Sequence, residues 1–526
     1  MNLASTSTTT LQLALAGVLV LAWAGGFAGK GDHRRGWGTL LPVVLGLYSV
    51  LQIGLVIYLW VNHASFPLNL EAMELTVLAT VRRIQVGLPI YVPPTSDFTP
   101  LAYNPLYYLV SIPFTWVFGT TLTALRSAAI AGVLGCMVVI FQAVRRETGS
   151  AGWGVTTAGL FAAAYRAMDT YLDNAHADSW MLFCILLGVY LISLQRSRAL
   201  DLLGTGLCVV SFWFKQPGAA FVVGVLAYLT IRQGIWKAGP CWLLAGLLGL
   251  ALYVFAPARW TGPLLHEYTW TIPRQWVSVN IATIRRLVGF HARAYGLLAV
   301  AAGFGWLAGL RRKTQGNIWH FLLPFAALTA VFGAMDSESN NNVFIPFGTW
   351  LIVTGVLTLD QATKGSSRLS RWRIPSLVAA GSFVLLAYNP WTVVVSPRAA
   401  AAYADLQSYL ESLDGSVYAP WLGPLSDGYR FSPEIHWVPM TDLVRQPGKN
   451  LSADLVIQSL LDPVVHPPGQ AYVLTNIPLE QDSALSFLTG EYELAVDLGD
   501  RFQALSTLPK RFNLGWPRYL YVFRGA

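Results

Sequence analysis

Long apolar stretches dominate this chain as far as about residue 395, and polar residues fall between them in short clusters. Runs of roughly 17 to 25 residues match the length of a helix that crosses a bilayer's hydrocarbon. Spans are predicted near 11–29, 37–62, 120–143, 152–168, 179–195, 200–214, 216–232, 238–256, 291–310, 318–334, 343–360 and 374–395. Because 200–214 and 216–232 are short for straight crossings, the expected count is about 11–13. The first run, Leu11 to Gly29, lacks the basic leader of a cleaved signal peptide and is read as a span. After residue 395 the pattern breaks into short runs such as "SVYAPW", "QAYVLTNIPL" and "YLYVFRG", separated by Pro, Gly and Asp. That punctuation predicts a small α/β domain over 396–526, beside a membrane domain over 1–395.

Composition agrees with this pattern. Charged residues make up 12% of the 526 residues and hydrophobic residues 54%, against roughly 25% charged in an ordinary soluble domain. The net charge of +8 does not mark a nucleic-acid binder, because the basic residues sit in short loops between spans. Basic loops ("KGDHRR", "RRETG", "QRSR", "RQGIWK", "RRK", "KGSSRLSRWR") alternate with loops poor in Lys and Arg. The first set is assigned to the cytoplasm. The loops at 62–105, 169–179, 215–217, 257–290 and 336–342 then face outward, together with the C-terminal domain. Cys136, Cys184, Cys208 and Cys241 all fall inside apolar runs without metal-ligand or redox spacing and read as small core residues.

The outward loops hold the candidate chemistry. In "NLEAMELTVLATVRRIQVG", residues 69–87, Leu70, Met73, Val77, Leu78, Val81 and Ile84 follow helical spacing. The stretch is too polar to span, so an amphipathic helix at the interface is expected. Glu71 and Glu74 are three apart and share a face, with Arg82 and Arg83 at the far end. Periodicity alone also allows a plainer account, in which the acids complement the helix dipole and the arginines snorkel to headgroups. In "DNAHADSW", Asp178 and His176 stand at the edge of a span, where a carboxylate is costly unless solvated, paired or ligating. A divalent metal held by His176 and Asp178 is one use of that pair; two ligands without a third are a weak signal. Lys215 and Gln216 in "FWFKQPG" offer a cation and an amide, the lysine suited to a phosphate or a distant carboxylate. Asn341 and Asn342 in "DSESNNNVFIPF" and Glu267 in the long loop 257–290 add further polar groups.

The order of these clusters carries a resemblance. An acid opening an amphipathic helix, then "VRRIQVGLPIYVPP", then "FTPLAYNPLYYLVSIPFTWVFG", resembles the GT-C superfamily of integral-membrane glycosyltransferases, closest to its dolichyl-phosphate-mannose protein mannosyltransferase-like or RgtA-like branch. "HADSW" looks like the second acidic motif, with His176 where the family has Arg, and "FKQPG" and "NNNVFIPF" look like later motifs. The family's Asp-Glu pair appears here as Met73-Glu74, which puts in doubt any mechanism requiring two adjacent acids. The resemblance implies a polytopic α-helical GT-C fold with interfacial helices in the first outer loop. It also implies inverting transfer from a polyprenyl-phosphate sugar donor to a glycan, lipid or protein acceptor at the periplasmic face of a bacterial inner membrane. The roles implied are Glu74 as general base, Glu71 or Asp178 as partner or second base, and Lys215 with Arg82 or Arg83 as phosphate ligands. Tyr91, Tyr103, Tyr107, His176, Gln216, Asn341, Asn342 and Glu267 would bind substrate. "NPLYYLVSIPFTWVF" is expected to be irregular and to line a lateral entrance for the donor's tail. A transporter or flippase of a lipid-linked sugar is the rival reading.

Overall fold

The computed structural model describes residues 7–28, 40–256, 258–311, 317–336, 339–364, 373–422, 435–444, 454–509 and 516–525. The basic loop 30–35, and most of those at 311–313 and 364–373, lie outside the described residues. Each of the twelve predicted spans coincides with a helix. In chain order these are α1 (Thr8–Ala28), α2 (Leu40–Ala64), then, beyond two helices of the first loop, α5 (Leu122–Thr148), α6 (Ala151–Ala163), α7 (Asp178–Ser193), α8 (Arg198–Phe214), α9 (Gly218–Gln233) and α10 (Ile235–Phe255). The last four are α11 (Ile281–Arg311), α12 (Ile318–Ala334), α13 (Ile345–Thr363) and α14 (Arg373–Leu386). By length and composition, five helices among the described residues suffice alone for a full crossing. Local signals set their ends. Thr121, Ser150 and Ser197 accept hydrogen bonds from backbone N–H groups at the starts of α5, α6 and α8, and Gly149 closes α5 in the left-handed region at φ 73°.

The first outer loop departs from the expected surface helix. α3 (Glu74–Gln85) forms where the periodicity placed it, but nearly every side chain from Glu74 to Val81 is buried inside the protein, and its last turn is half-buried, with Gln85 exposed. The expected irregular segment is instead a regular helix, α4 (Leu106–Phe118), with Pro113 inside it. Its C-terminal turn presents Trp116, Val117 and Phe118 outward.

The C-terminal part begins with α15 (Pro397–Glu411), capped by Ser396. Its sheet has four strands, β1 (Ser416–Tyr418), β2 (Ala471–Thr475), β3 (Tyr492–Asp497) and β4 (Tyr519–Phe523), in the order β1-β2-β4-β3. β1 pairs parallel with β2, and the other two ladders are antiparallel, with a bulge between Leu494 and Val496. One of its two cores is shared with the membrane part. Phe66, Leu68 and Leu70 of the first outer loop pack among Tyr403, Leu406, Val417 and Leu520.

Candidate active site

The segment 66–70 is held from two sides. Its apolar side chains enter the C-terminal core, while its carbonyls turn toward Arg126, a fully buried residue of α5. All five guanidinium N–H groups are used: Nε and one Nη2 hydrogen go to Glu74 at 2.9 and 2.6 Å, and the rest go to the carbonyls of His63 (2.8 Å), Phe66 and Leu68 (2.8 Å). Glu74 is as completely engaged. Besides Arg126 it accepts from the backbone N–H of Leu70 (2.6 Å), Glu71 (3.3 Å) and Ala175 (3.0 Å). Burial alone would raise this carboxyl's pKa, yet the guanidinium and the N–H donors outweigh it and hold it below the usual value. Glu74 therefore knots the loop to α5 and to residue 175.

The turn leading to the second acidic motif is as tightly specified. Asp169 and Thr170 sit in the left-handed region at φ 58° and 56°, a conformation that non-glycine residues rarely adopt. They swing the chain into a turn at Tyr171–Asp173. Asp173 is anchored there by His63 Nδ1 at 2.7 Å and by the Tyr165 hydroxyl at 2.6 Å.

Beyond this turn the predicted residues converge. Asp178 opens α7 and Lys215 follows the last residue of α8, so the two antiparallel helices bring them to the same end. Lys215 Nζ donates to both Asp178 oxygens, at 2.9 and 3.0 Å, and His176 Nδ1 bonds to Oδ2. His176 and Asp178 are buried, whereas the lysine side chain keeps 13% of its surface exposed. Tyr103 and Tyr171 meet the imidazole edge to face, with ring centroids 5.2 and 5.5 Å away. The Tyr171 hydroxyl donates to Glu71 Oε1 at 3.3 Å, and Met73 N–H donates to Glu71 Oε2 at 2.8 Å. His176, Asp178 and Lys215 thus form one bonded group, which Tyr171 links to Glu71. Among the described residues no three His, Cys, Asp or Glu side chains gather as metal ligands. A cation at Asp178 would also face the Lys215 ammonium.

The remaining predicted residues divide. Gln216 donates to Thr269 O at 3.1 Å, which sets it beside the segment Glu267–Thr271. Tyr91 donates through its hydroxyl to Tyr103 O and lies 5.9 Å from the Tyr268 ring. Backbone bonds of Ile90 and Tyr91 to Trp260 and Thr261 tie "GLPIY" to the start of the long loop 257–290. Gly262 makes this approach possible, because a Cβ there would lie 2.2 Å from Tyr91 O. Arg83 is spent on the turn itself, donating to Pro89 O and lying 4.6 Å over Phe98; Arg82 stands half-buried beside it in the last turn of α3. Tyr107 donates to Leu125 O at 2.7 Å and serves the α4–α5 contact. Asn341 and Asn342 open a short turn beside Phe344, whose ring stacks on His291 at 4.0 Å. Phe344 belongs to an apolar cluster separate from the main core, with Leu287, Ala330 and Ala334. Sequence reasoning missed Arg126 and His63, and placed Asp173 in the second outer cluster without a role. The available signal was a lone Arg in the apolar run "LTALRSAAIAG", which membrane burial obliges to be paired.

No family model matches the sequence, and no curated protein matches it. Solved structures do. ArnT from Cupriavidus metallidurans bound to undecaprenyl phosphate superposes with a TM-score of 0.54 at 11% identity, covering 90% of this chain and 97% of that chain. The same protein in the apo state gives 0.53 at 11% identity, with the same coverage of both chains. At this identity the likeness is one of fold: the chain shares the polytopic helical membrane fold of that protein, with a small C-terminal sheet.

Proposed function

We propose that this chain is a glycosyltransferase that moves a sugar from a polyprenyl-phosphate donor to an acceptor hydroxyl, with inversion, at the extracytoplasmic face. The observation that carries the reading is the meeting of Glu71, His176, Asp178 and Lys215 at one end of a membrane helix bundle. Its fold neighbour ArnT was crystallised with undecaprenyl phosphate, a lipid of the class the donor would release.

The chemistry asks for two things. The donor carries its own leaving group, so the protein must offset charge as the phosphate departs and remove a proton from the acceptor. Lys215 answers the first need, being a cation fixed by a buried carboxylate yet partly exposed. In a site screened from water such a fixed charge acts with little reorganisation. Glu71 and the Asp178–His176 pair are the groups placed to answer the second, since both oxygens of Glu74 are bound to Arg126. A single displacement at the anomeric carbon exchanges phosphate for acceptor oxygen and inverts that centre. A membrane scaffold suits a donor whose isoprenoid tail stays in lipid while its phosphate meets the polar end of the bundle.

The test is transfer by purified protein in lipid nanodiscs, supplied with a panel of polyprenyl-phosphate sugars and read by mass and by the product's anomeric NMR signal. Wild type should consume at least one donor, and Lys215→Met should lower turnover about 100-fold or more. Equal turnover by wild type and Lys215→Met, or movement of intact donor across the bilayer without transfer, would sink the proposal.

A further inference from the structure

Buried polar atoms near the Asp178–Lys215 pair without a hydrogen-bond partner among the described residues include His176 Nε2, Asn104 Oδ1, Ser179 Oγ and Trp213 Nε1. Asn104 is tied to the neighbourhood of Lys215 through Nδ2, which donates to Phe212 O. Protein interiors leave few such atoms unmet, and each calls for an explanation.

The imidazole's other nitrogen explains its state. Asp178 receives both of its bonds from Lys215 as an acceptor, so it is ionised and cannot donate. Nδ1 therefore carries the ring proton toward Asp178, and Nε2 is left with an unshared lone pair. The charged groups around the ring are Asp178, Lys215 and Glu74, with Glu71 beyond the Tyr171 hydroxyl. Burial lowers the imidazole pKa below its ordinary value and the ammonium adds to this, against the raising effect of Asp178, so the ring is neutral near pH 7. The partly exposed members of the group are Tyr103, whose ring meets the imidazole, and Lys215. A substrate reaching Lys215 arrives beside His176.

We infer that His176 is the base that takes the acceptor hydroxyl's proton through Nε2, with Asp178 as its positioning residue. The inference rests on the proposed transfer reaction. As the acceptor oxygen forms its bond to the anomeric carbon, the bond from that carbon to the phosphate oxygen breaks. The electron pair leaves with the polyprenyl phosphate, and the proton passes from the hydroxyl to Nε2. The resulting imidazolium is stabilised by Asp178 and later releases its proton to solvent.

The test compares wild type, His176→Asn and His176→Gln in the same nanodisc assay, with binding of undecaprenyl phosphate measured separately by thermal shift. Asparagine keeps a donor near the position of Nδ1 for Asp178 and removes Nε2, which separates base from brace. His176→Asn should bind undecaprenyl phosphate within about threefold of wild type yet lose about 10²–10⁴-fold in kcat. The wild-type kcat/KM should fall below the usual histidine range as pH drops, and that acidic limb should be missing from the residual activity of both variants. Transfer by His176→Asn within about threefold of wild type, an acidic limb unchanged in it, or loss of lipid binding together with folding would each overturn the assignment. If Lys215→Met abolishes transfer while His176→Asn does not, the reaction stands and the base lies elsewhere. If wild type consumes no lipid-phosphate sugar, the reaction itself fails.

Discussion

Arg126 and Glu74 form a charged pair that ties the first outer loop to α5. Each is fully buried, and each satisfies its partner together with several backbone groups. Removing one member strands the other's charge away from water, at a cost of about 3–5 kcal/mol. Arg126→Met and Glu74→Gln should therefore each lower the unfolding temperature of the detergent-solubilised protein substantially. The double substitution should cost less than the sum of the two, as expected for residues in direct contact. Additive losses in a thermal-shift cycle would contradict the pairing. Glu74 was legible as a special acid, since it opens a helix in an outward loop. Its role was not, because the guanidinium that claims it lies 52 positions later on another helix. Asp178 and Lys215 were legible as ends of spans carrying charges that needed partners, and each turned out to be the other's.

At the scale of elements, the Asp178–Lys215 contact depends on how α7 and α8 cross. Gly188 and Gly204 face each other there: a Cβ on Gly188 would stand 2.6 Å from Gly204 O, and one on Gly204 would stand 2.5 Å from Gly188 O. Small residues of this kind let membrane helices approach closely. Gly204→Val should push the helices apart, loosen the Asp178–Lys215 pair and reduce transfer, even though residue 204 lies well away from the site. A variant with wild-type turnover and wild-type melting temperature would refute this. The helices themselves follow from apolar runs with Ser or Thr at their starts, which is why the spans were readable one by one. The burial of α3 was less so. Its period of three and four fits equally a helix lying on lipid and a helix enclosed by protein, and only the neighbours α4 and α5 distinguish the two.

For the whole molecule, the shared core means that the C-terminal domain and the first outer loop fold against each other. Phe66, Leu68 and Leu70 supply apolar surface to the domain, and on the loop's other side Arg126 grips their backbone. Leu68→Asp should therefore both expose the C-terminal domain to limited proteolysis and depress transfer, without touching Lys215. Proteolysis unchanged from wild type would separate the two parts. Alone, the sequence determined a many-helix membrane protein, the positions of its helices, a punctuated α/β segment after residue 395, and loops carrying acids, a lysine and a histidine. Those properties are local: hydrophobic length, capping residues and loop charge act over one helix or one turn. The tertiary structure decided which charges are spent inside the protein and which remain at the site. It committed Glu74 to Arg126, joined His176 and Asp178 to Lys215, and left Nε2 of His176 without a partner among the described residues. The reason is physical: a buried charge is defined by the partner that neutralises it, and here the partners come from helices far apart in the chain.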